Sequence, residues 1–248
     1  MDASALVHTI QGRPVTMPVE VRDASSGAAS FLVDLGVARR LVDVSGIEPE
    51  EFLPGKAMLS IAMVDYRDND LGDYHELSIA FFVREKGKPR RLPWVGSWFG
   101  LMRSQVATYI RHLPVDQSFT CDAGRMIWGF PKTVQEVDIR YEGDRARARL
   151  VMDGMLVLEL SMPRGGGRDL PTSELATYSR VRGRTCRTPF TSSTRGFGIF
   201  TGSRVTLELG DHPIAAELRE LGLPKEPLVA MWMEHWSGSF GEPVPLES

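Results

Sequence analysis

The sequence predicts a mainly β protein: a large antiparallel β-barrel with a few peripheral helices, in a single domain over residues 1–248. Three observations carry this. Strand-like segments outnumber helical ones, and the helical ones do not alternate with strands as βαβ units require. Residues 134–162 read as one continuous meander. Segment 74–84 is apolar on both faces, Ile79, Phe81 and Val83 alternating with Ala80 and Phe82, as in a strand covered on each side.

Each element has its own signal. Residues 28–33 read as a short strand, and Asp34 then caps a helix over 35–42 with Val37, Leu41 and Val42 at helical spacing. Residues 57–66 and 74–84 read as two strands joined by the polar turn Arg67-Asp68-Asn69-Asp70. In the second, Tyr74, Glu76 and Ser78 share one face, and His75 and Leu77 the other. Segment 97–113 fits a helix through Val106, Ile110 and Leu113, or a strand through Val106, Thr108 and Ile110; its end favours the strand. The meander turns at Glu142-Gly143-Asp144 and again at Asp153-Gly154, the strongest hairpin signal in the chain. Arg145, Arg147 and Arg149 alternate there with Ala146, Ala148 and Leu150, giving one wet face and one buried face. The Gly/Arg-rich stretch 163–187 reads as a loop or a subunit contact. Residues 198–209 suggest a strand pair, and 214–221 a helix capped by Asp211 and stopped by Gly222 and Pro224. Residues 227–237 form the last expected strand.

Composition bounds the function. The chain has 248 residues, 42 % hydrophobic and 25 % charged, with a formal net charge of −3. That balance is ordinary for a globular protein and offers no basic field to nucleic acid or an anionic membrane. Arg180, Arg182, Arg184 and Arg187 form one local basic patch, read as a solvated loop or a salt-bridged subunit contact. The start, MDASALVHTIQGRP, has no signal-peptide pattern, and no apolar run is long enough to span a bilayer. Cys121 and Cys186 have no metal-ligand spacing, and a chain of this size needs no disulfide. A cytoplasmic protein is the expectation.

The stretch 123–133, AGRMIWGFPKT, carries the chemistry. Lys132 follows Pro131 and the apolar run Ile127, Trp128, Gly129, Phe130. Desolvation disfavours the charged form of a lysine, and only the neutral amine attacks a carbonyl. A free lysine is neutral only about once in 2,500 molecules at pH 7, so burial must do much. The plain alternative is a solvated lysine after a strand-ending proline, with Trp128 and Phe130 as core.

These residues resemble the active-site segment of the acetoacetate decarboxylase superfamily, whose pattern is Gly-Arg-Glu, a short apolar run, then Gly-(Tyr/Phe)-Pro-Lys-Lys. Gly124, Arg125, Gly129, Phe130, Pro131 and Lys132 match; Met126 and Thr133 depart from it. Leu71-Gly72-Asp73-Tyr74-His75-Glu76 is similar to the family's Leu-Gly-x-Tyr-x-Glu, and Met231–Trp236 has a weaker likeness to its last strand. The resemblance runs over about residues 13–245 and implies a cone-like barrel and a homo-oligomer. It implies Lys132 as the Schiff-base lysine and Glu76 as the pocket carboxylate, catalytic together, acting on a small keto acid without a cofactor or metal. Acetoacetate decarboxylase is a known case of a lysine activated by desolvation or a cationic neighbour; here Thr133 removes the adjacent cation and leaves burial as the main lever. Ser60 or Ile61 falls near the place of the family's second acid, and Arg22 is merely close to that of its substrate-binding arginine. These gaps bear on which reaction is run: decarboxylation, aldol condensation or dehydration through the same lysine, or carbonyl binding without turnover.

The remaining candidates are substrate contacts. Tyr74 shares a strand face with Glu76, and the Thr133 hydroxyl could orient a water or a substrate oxygen. Arg125 fits either a substrate carboxylate or a turn held through backbone carbonyls, and Trp128 a pocket wall or core. Glu76 itself fits a general acid/base or a solvent-facing strand glutamate. The five histidines show no paired metal spacing, HExxH is absent, and no Gly-x-Ser-x-Gly elbow occurs.

Overall fold

A computed structural model describes residues 6–88 and 107–246. In chain order it contains β1 (Val7–Ile10), β2 (Arg13–Thr16), β3 (Val19–Asp34), α1 (Leu35–Leu41), β4 (Ile47–Pro49), β5 (Glu51–Leu53), β6 (Lys56–Asn69), β7 (Tyr74–Glu85) and β8 (Ala107–Val115). Then come α2 (Ser118–Trp128), β9 (Lys132–Val134), β10 (Glu136–Glu142), β11 (Arg145–Met152), β12 (Met155–Pro163), β13 (Arg168–Val181) and β14 (Arg184–Phe200). β15 (Thr206–Leu209), α3 (Pro213–Glu220), β16 (Val229–Phe240) and β17 (Val244–Pro245) complete it.

Seven long strands close into a barrel in the order β7-β6-β3-β16-β14-β13-β8, with β8 returning to β7. All neighbours are antiparallel except β8 and β13, which run parallel. The expected mainly β barrel is therefore present. Strands β10, β11, β12 and β15 form a separate four-stranded sheet. The outer barrel residues Phe31, Leu59, Ile61 and Phe81 share one buried cluster with Ala148, Leu150, Leu158 and Leu160 of that sheet. This explains why β7 is apolar on both faces. Trp232 of β16 lies in that cluster, fully buried, and Gly27 pairs with it across the ladder. A Cβ at Gly27 would stand 2.7 Å from the indole and 2.5 Å from Met162 Sδ, so only glycine admits the ring there.

Several expected elements take different bounds. β3 is 16 residues long, not a short strand, because it spans the barrel wall. The Arg67–Asp70 turn is displaced: β6 continues to Asn69, since Asn69 pairs with Val21 and Asp68 with Asp23. The reversal falls at 70–73, with Gly72 at φ 93°. The 163–187 stretch is no loop but the start of a long hairpin of β13 and β14, turning at Arg182 and Gly183 with φ 48° and 83°; Arg180, Arg182, Arg184 and Arg187 stand exposed. Residues 198–209 do not pair with one another, because β14 belongs to the barrel and β15 pairs with β12. His212, not Asp211, caps α3, its Nδ1 accepting from Ile214 N–H at 3.1 Å. The helix after Asp34, the 145–163 hairpin, and the strands of 57–66, 74–84 and 227–237 lie where expected. The end of 97–113 is strand, and residues 97–106 lie outside the described residues. Cys121 and Cys186 are buried free thiols, and among the described residues no helix is long and apolar enough to cross a membrane.

Candidate active site

Lys132 owes its position to the helix before it. In α2, the Gln117 side chain accepts from Thr120 N–H at the start, and Gly129 ends the helix in the left-handed region at φ 64°. A Cβ on Gly129 would lie 2.1 Å from the Arg180 carbonyl oxygen, so the helix end can meet β13 only through glycine. Gly129-Phe130-Pro131 then reverses the chain into β9, which pairs in parallel with β8, Leu113 opposite Lys132. Alternation along β9 turns Lys132 inward, 5 % exposed, and leaves Pro131 and Thr133 outside.

Gly124 has a second task. A Cβ there would stand 2.6 Å from Lys132 Cδ and 2.8 Å from Cε. The glycine of the Gly-Arg element is thus the slot through which the lysine's methylene arm passes. Gly124→Ala is expected to push the arm aside and slow imine formation with a keto acid roughly a hundredfold. Stopped-flow rates of reductive trapping would check this, with near-UV circular dichroism showing that packing persists.

All three N–H donors of the Lys132 ammonium find acceptors. Nζ lies 2.8 Å from Glu76 Oε2, donates to Thr120 Oγ1 at 3.0 Å and to the Tyr74 hydroxyl at 3.4 Å. It also sits 4.8 Å from the centre of the Tyr74 ring. Glu76 accepts a further hydrogen bond from the Tyr66 hydroxyl at 3.4 Å, and the rings of Tyr66 and Tyr74 stack at 4.3 Å. Burial pushes the pKa of both phenols up, so each hydroxyl keeps its proton.

The dryness expected of Lys132 is present, but its consequence is reversed. Burial is the largest single influence and lowers the pKa; the Glu76 carboxylate and Tyr74 together outweigh it and hold the pKa above the ordinary lysine value. The resting group is an ammonium in a buried ion pair, not a free amine. Nothing near Lys132 in sequence announces this, because its partner lies on another barrel strand.

The pair opens onto a cavity of about 220 Å3 inside the barrel. Tyr66, Tyr74, Glu76, Trp128 and Lys132 all line it. Trp128 is fixed by an Nε1–H bond to the Gly241 carbonyl at 2.9 Å and stacks on Phe130. Four of the six residues singled out in the sequence are therefore together: Lys132, Glu76, Tyr74 and Trp128. The other two are elsewhere. Arg125 lies on the exposed face of α2, and Thr133 points away from the cavity, so neither lines it. Arg22 is also turned outward, bound to Asp68 and Asp70, while Ser60 lines the cavity and Ile61 packs outside it.

Sequence reasoning missed Thr120 and Tyr66. Thr120 lies one turn before Gly124 on the inner face of α2, a helix that was not expected. Tyr66 stands directly across from Tyr74 in the β6–β7 ladder, a pairing hidden by the misplaced turn.

The chain matches the family model described as acetoacetate decarboxylase over residues 11–241. Among curated protein sequences nothing matches it. Among solved structures, an acetoacetate decarboxylase from Legionella pneumophila superposes with a TM-score of 0.69 at 17 % identity, covering 100 % of this chain and 92 % of that one. The enduracididine biosynthesis enzyme MppR, complexed with the condensation product of pyruvate and imidazole 4-carboxaldehyde, gives 0.59 at 15 % identity, covering 97 % and 95 %. An acetoacetate decarboxylase-like enzyme from Sphingomonas wittichii RW1 gives 0.58 at 12 %, covering 98 % and 100 %. At these identities the likeness is one of fold.

Proposed function

This chain belongs to the acetoacetate decarboxylase family, and on that premise we propose that it is a lyase whose Lys132 forms a Schiff base with a keto acid. The observation that carries the reading is the buried ion pair of Lys132 and Glu76 at 2.8 Å, facing a cavity in the barrel.

The pair suits the chemistry because its charges are conserved through imine formation. Glu76 takes a proton from Nζ, and the neutral amine adds to the substrate ketone. After a proton moves from nitrogen to oxygen, protonated Glu76 gives its proton to the carbinolamine hydroxyl, which leaves as water. The product is an iminium cation beside a Glu76 carboxylate, electrostatically the same as the resting pair. The Tyr74 hydroxyl, 3.4 Å from Nζ, is placed to donate to the departing oxygen. Thr120 Oγ1 holds the nitrogen on the helix side. Carbon dioxide then leaves as the carbon–carbon bond electrons move into the iminium and make an enamine. A proton from water, relayed by Glu76 or Tyr74, restores the iminium, and hydrolysis returns the ammonium.

A second reading uses the same iminium for aldol condensation or dehydration. Its specific support is that, among the described residues, neither an arginine nor a second lysine lines the cavity to hold a substrate carboxylate, and that MppR is seen with a condensation product. Carbon dioxide release from acetoacetate, with pyruvate plus an aldehyde as the parallel assay, separates the two. Release that Lys132→Ala removes supports decarboxylation. Condensed product without release supports the second reading, and neither activity, with carbonyl compounds still bound, leaves a non-catalytic binding barrel.

A further inference from the structure

The cavity continues well past the ion pair, and on β6 and β7 the residues that line it short of Phe82 are small. Along the inner face of β7, Glu76 is followed by Ser78, Ala80 and Phe82. The β6 ladder places Ala62 opposite Ser78 and Ser60 opposite Ala80. Four side chains of alanine or serine size thus stand in two consecutive interior layers, where a narrow barrel is ordinarily filled by bulky branched residues. Two residues along a strand advance about 6.6–6.8 Å, so the Ala80 layer lies roughly 13 Å from the Glu76 layer and Phe82 roughly 20 Å. Phe82 ends the run, and it is held in place: its ring meets Phe52 edge to face at 5.9 Å within a small cluster that also contains Met58. A substrate the size of acetoacetate would occupy the Lys132 end and leave these layers empty.

We infer that the carbonyl compound attacked by Lys132 carries an unbranched apolar tail, laid along the Ser60, Ala62, Ser78 and Ala80 face and limited in length by Phe82. Among the described residues the only charges on the cavity wall are Lys132 and Glu76, which neutralise each other, so the described lining beyond them is uncharged. This inference rests on the Schiff-base reading, and its test is chosen so that the two fail differently.

Wild-type protein is trapped with cyanoborohydride in a homologous series of methyl ketones, from acetone to heptadecan-2-one, and the Lys132 adduct is quantified by mass spectrometry against ketone concentration. The half-saturating concentration is expected to fall about fourfold per methylene and then level off once the tail reaches Phe82. Ala80→Phe should bring the plateau several carbons earlier, and Phe82→Ala should move it later. Equal trapping of the shortest and longest ketones overturns the tail while leaving the imine standing. No Lys132 adduct with any member overturns both. The wild-type series decides by itself, so a variant that fails to fold does not spare the proposal.

Discussion

Glu76→Gln is expected to free the Lys132 amine at neutral pH and, at the same time, to stop turnover. In the wild type the carboxylate, together with Tyr74, outweighs burial and keeps the lysine protonated. Without it, burial is the dominant remaining influence, and burial lowers a lysine pKa. Labelling of Lys132 by a small carbonyl reagent and borohydride at pH 7 should rise about a hundredfold, while steady-state turnover falls by about 10²–10⁴ because no general base or acid serves the later steps. The pH dependence of stability should change sign too. A raised folded pKa gives the wild type stability that is fully present below the unfolded value of about 10.4 and is lost as pH climbs through the folded value. In Glu76→Gln the lowered lysine makes the unfolded state the stronger proton binder, so stability rises with pH up to about 10.4. Urea unfolding at pH 7, 9 and 11 would show the two slopes. Parallel pH profiles would mean that Glu76 does not govern the Lys132 proton.

Lys132→Ala should remove turnover by a factor on the order of 10⁴ or more, as loss of a covalent nucleophile does. It should also be costly to the fold. Truncating one member of a buried pair leaves an uncompensated charge and typically costs about 3–5 kcal/mol. Here the loser is Glu76, walled by Val64, Val115 and the two tyrosines. The double variant Lys132→Met with Glu76→Gln removes both charges and keeps most of the volume. It is expected to recover most of that stability without recovering any activity. If Lys132→Ala alone unfolds like the wild type, the ion pair is not as buried as its geometry requires. If it retains activity within tenfold, the lysine is not the nucleophile.

The parts of the fold written in short-range pattern were legible. Asp34 and the apolar spacing behind it located α1, and alternation with Asp153-Gly154 located the β11–β12 hairpin. The parts decided by distant partners were not. α2 carries Thr120, Cys121 and Gly124 in its interior, poor helix formers all. It is helical because Phe119, Ala123 and Ile127, four residues apart, bury a common face in the barrel's inner cluster and because Gly129 caps it. β13 was hidden by the glycines and arginines around it, which mark its turn and its wet face, whereas Ala176 to Ser179 bury its middle. The site divides in the same way. Lys132, Glu76 and Tyr74 were visible as motif residues, with Tyr74 and Glu76 correctly placed on one strand face. Arg125 and Thr133 were misplaced because adjacency in sequence puts residues on opposite faces of a strand or around a helix. The lysine's protonation state could not be read from its neighbours at all. It follows from a carboxylate 56 positions away in sequence and 2.8 Å away in space.

The covalent role of Lys132 is tested most directly by reducing the protein with cyanoborohydride during turnover of a keto acid and mapping the modified peptide. The expected result is one adduct per chain, on the peptide carrying Gly129-Phe130-Pro131-Lys132, lost in Lys132→Ala. Continued turnover with that peptide unmodified, or adducts spread over surface lysines at equal yield, would contradict the account.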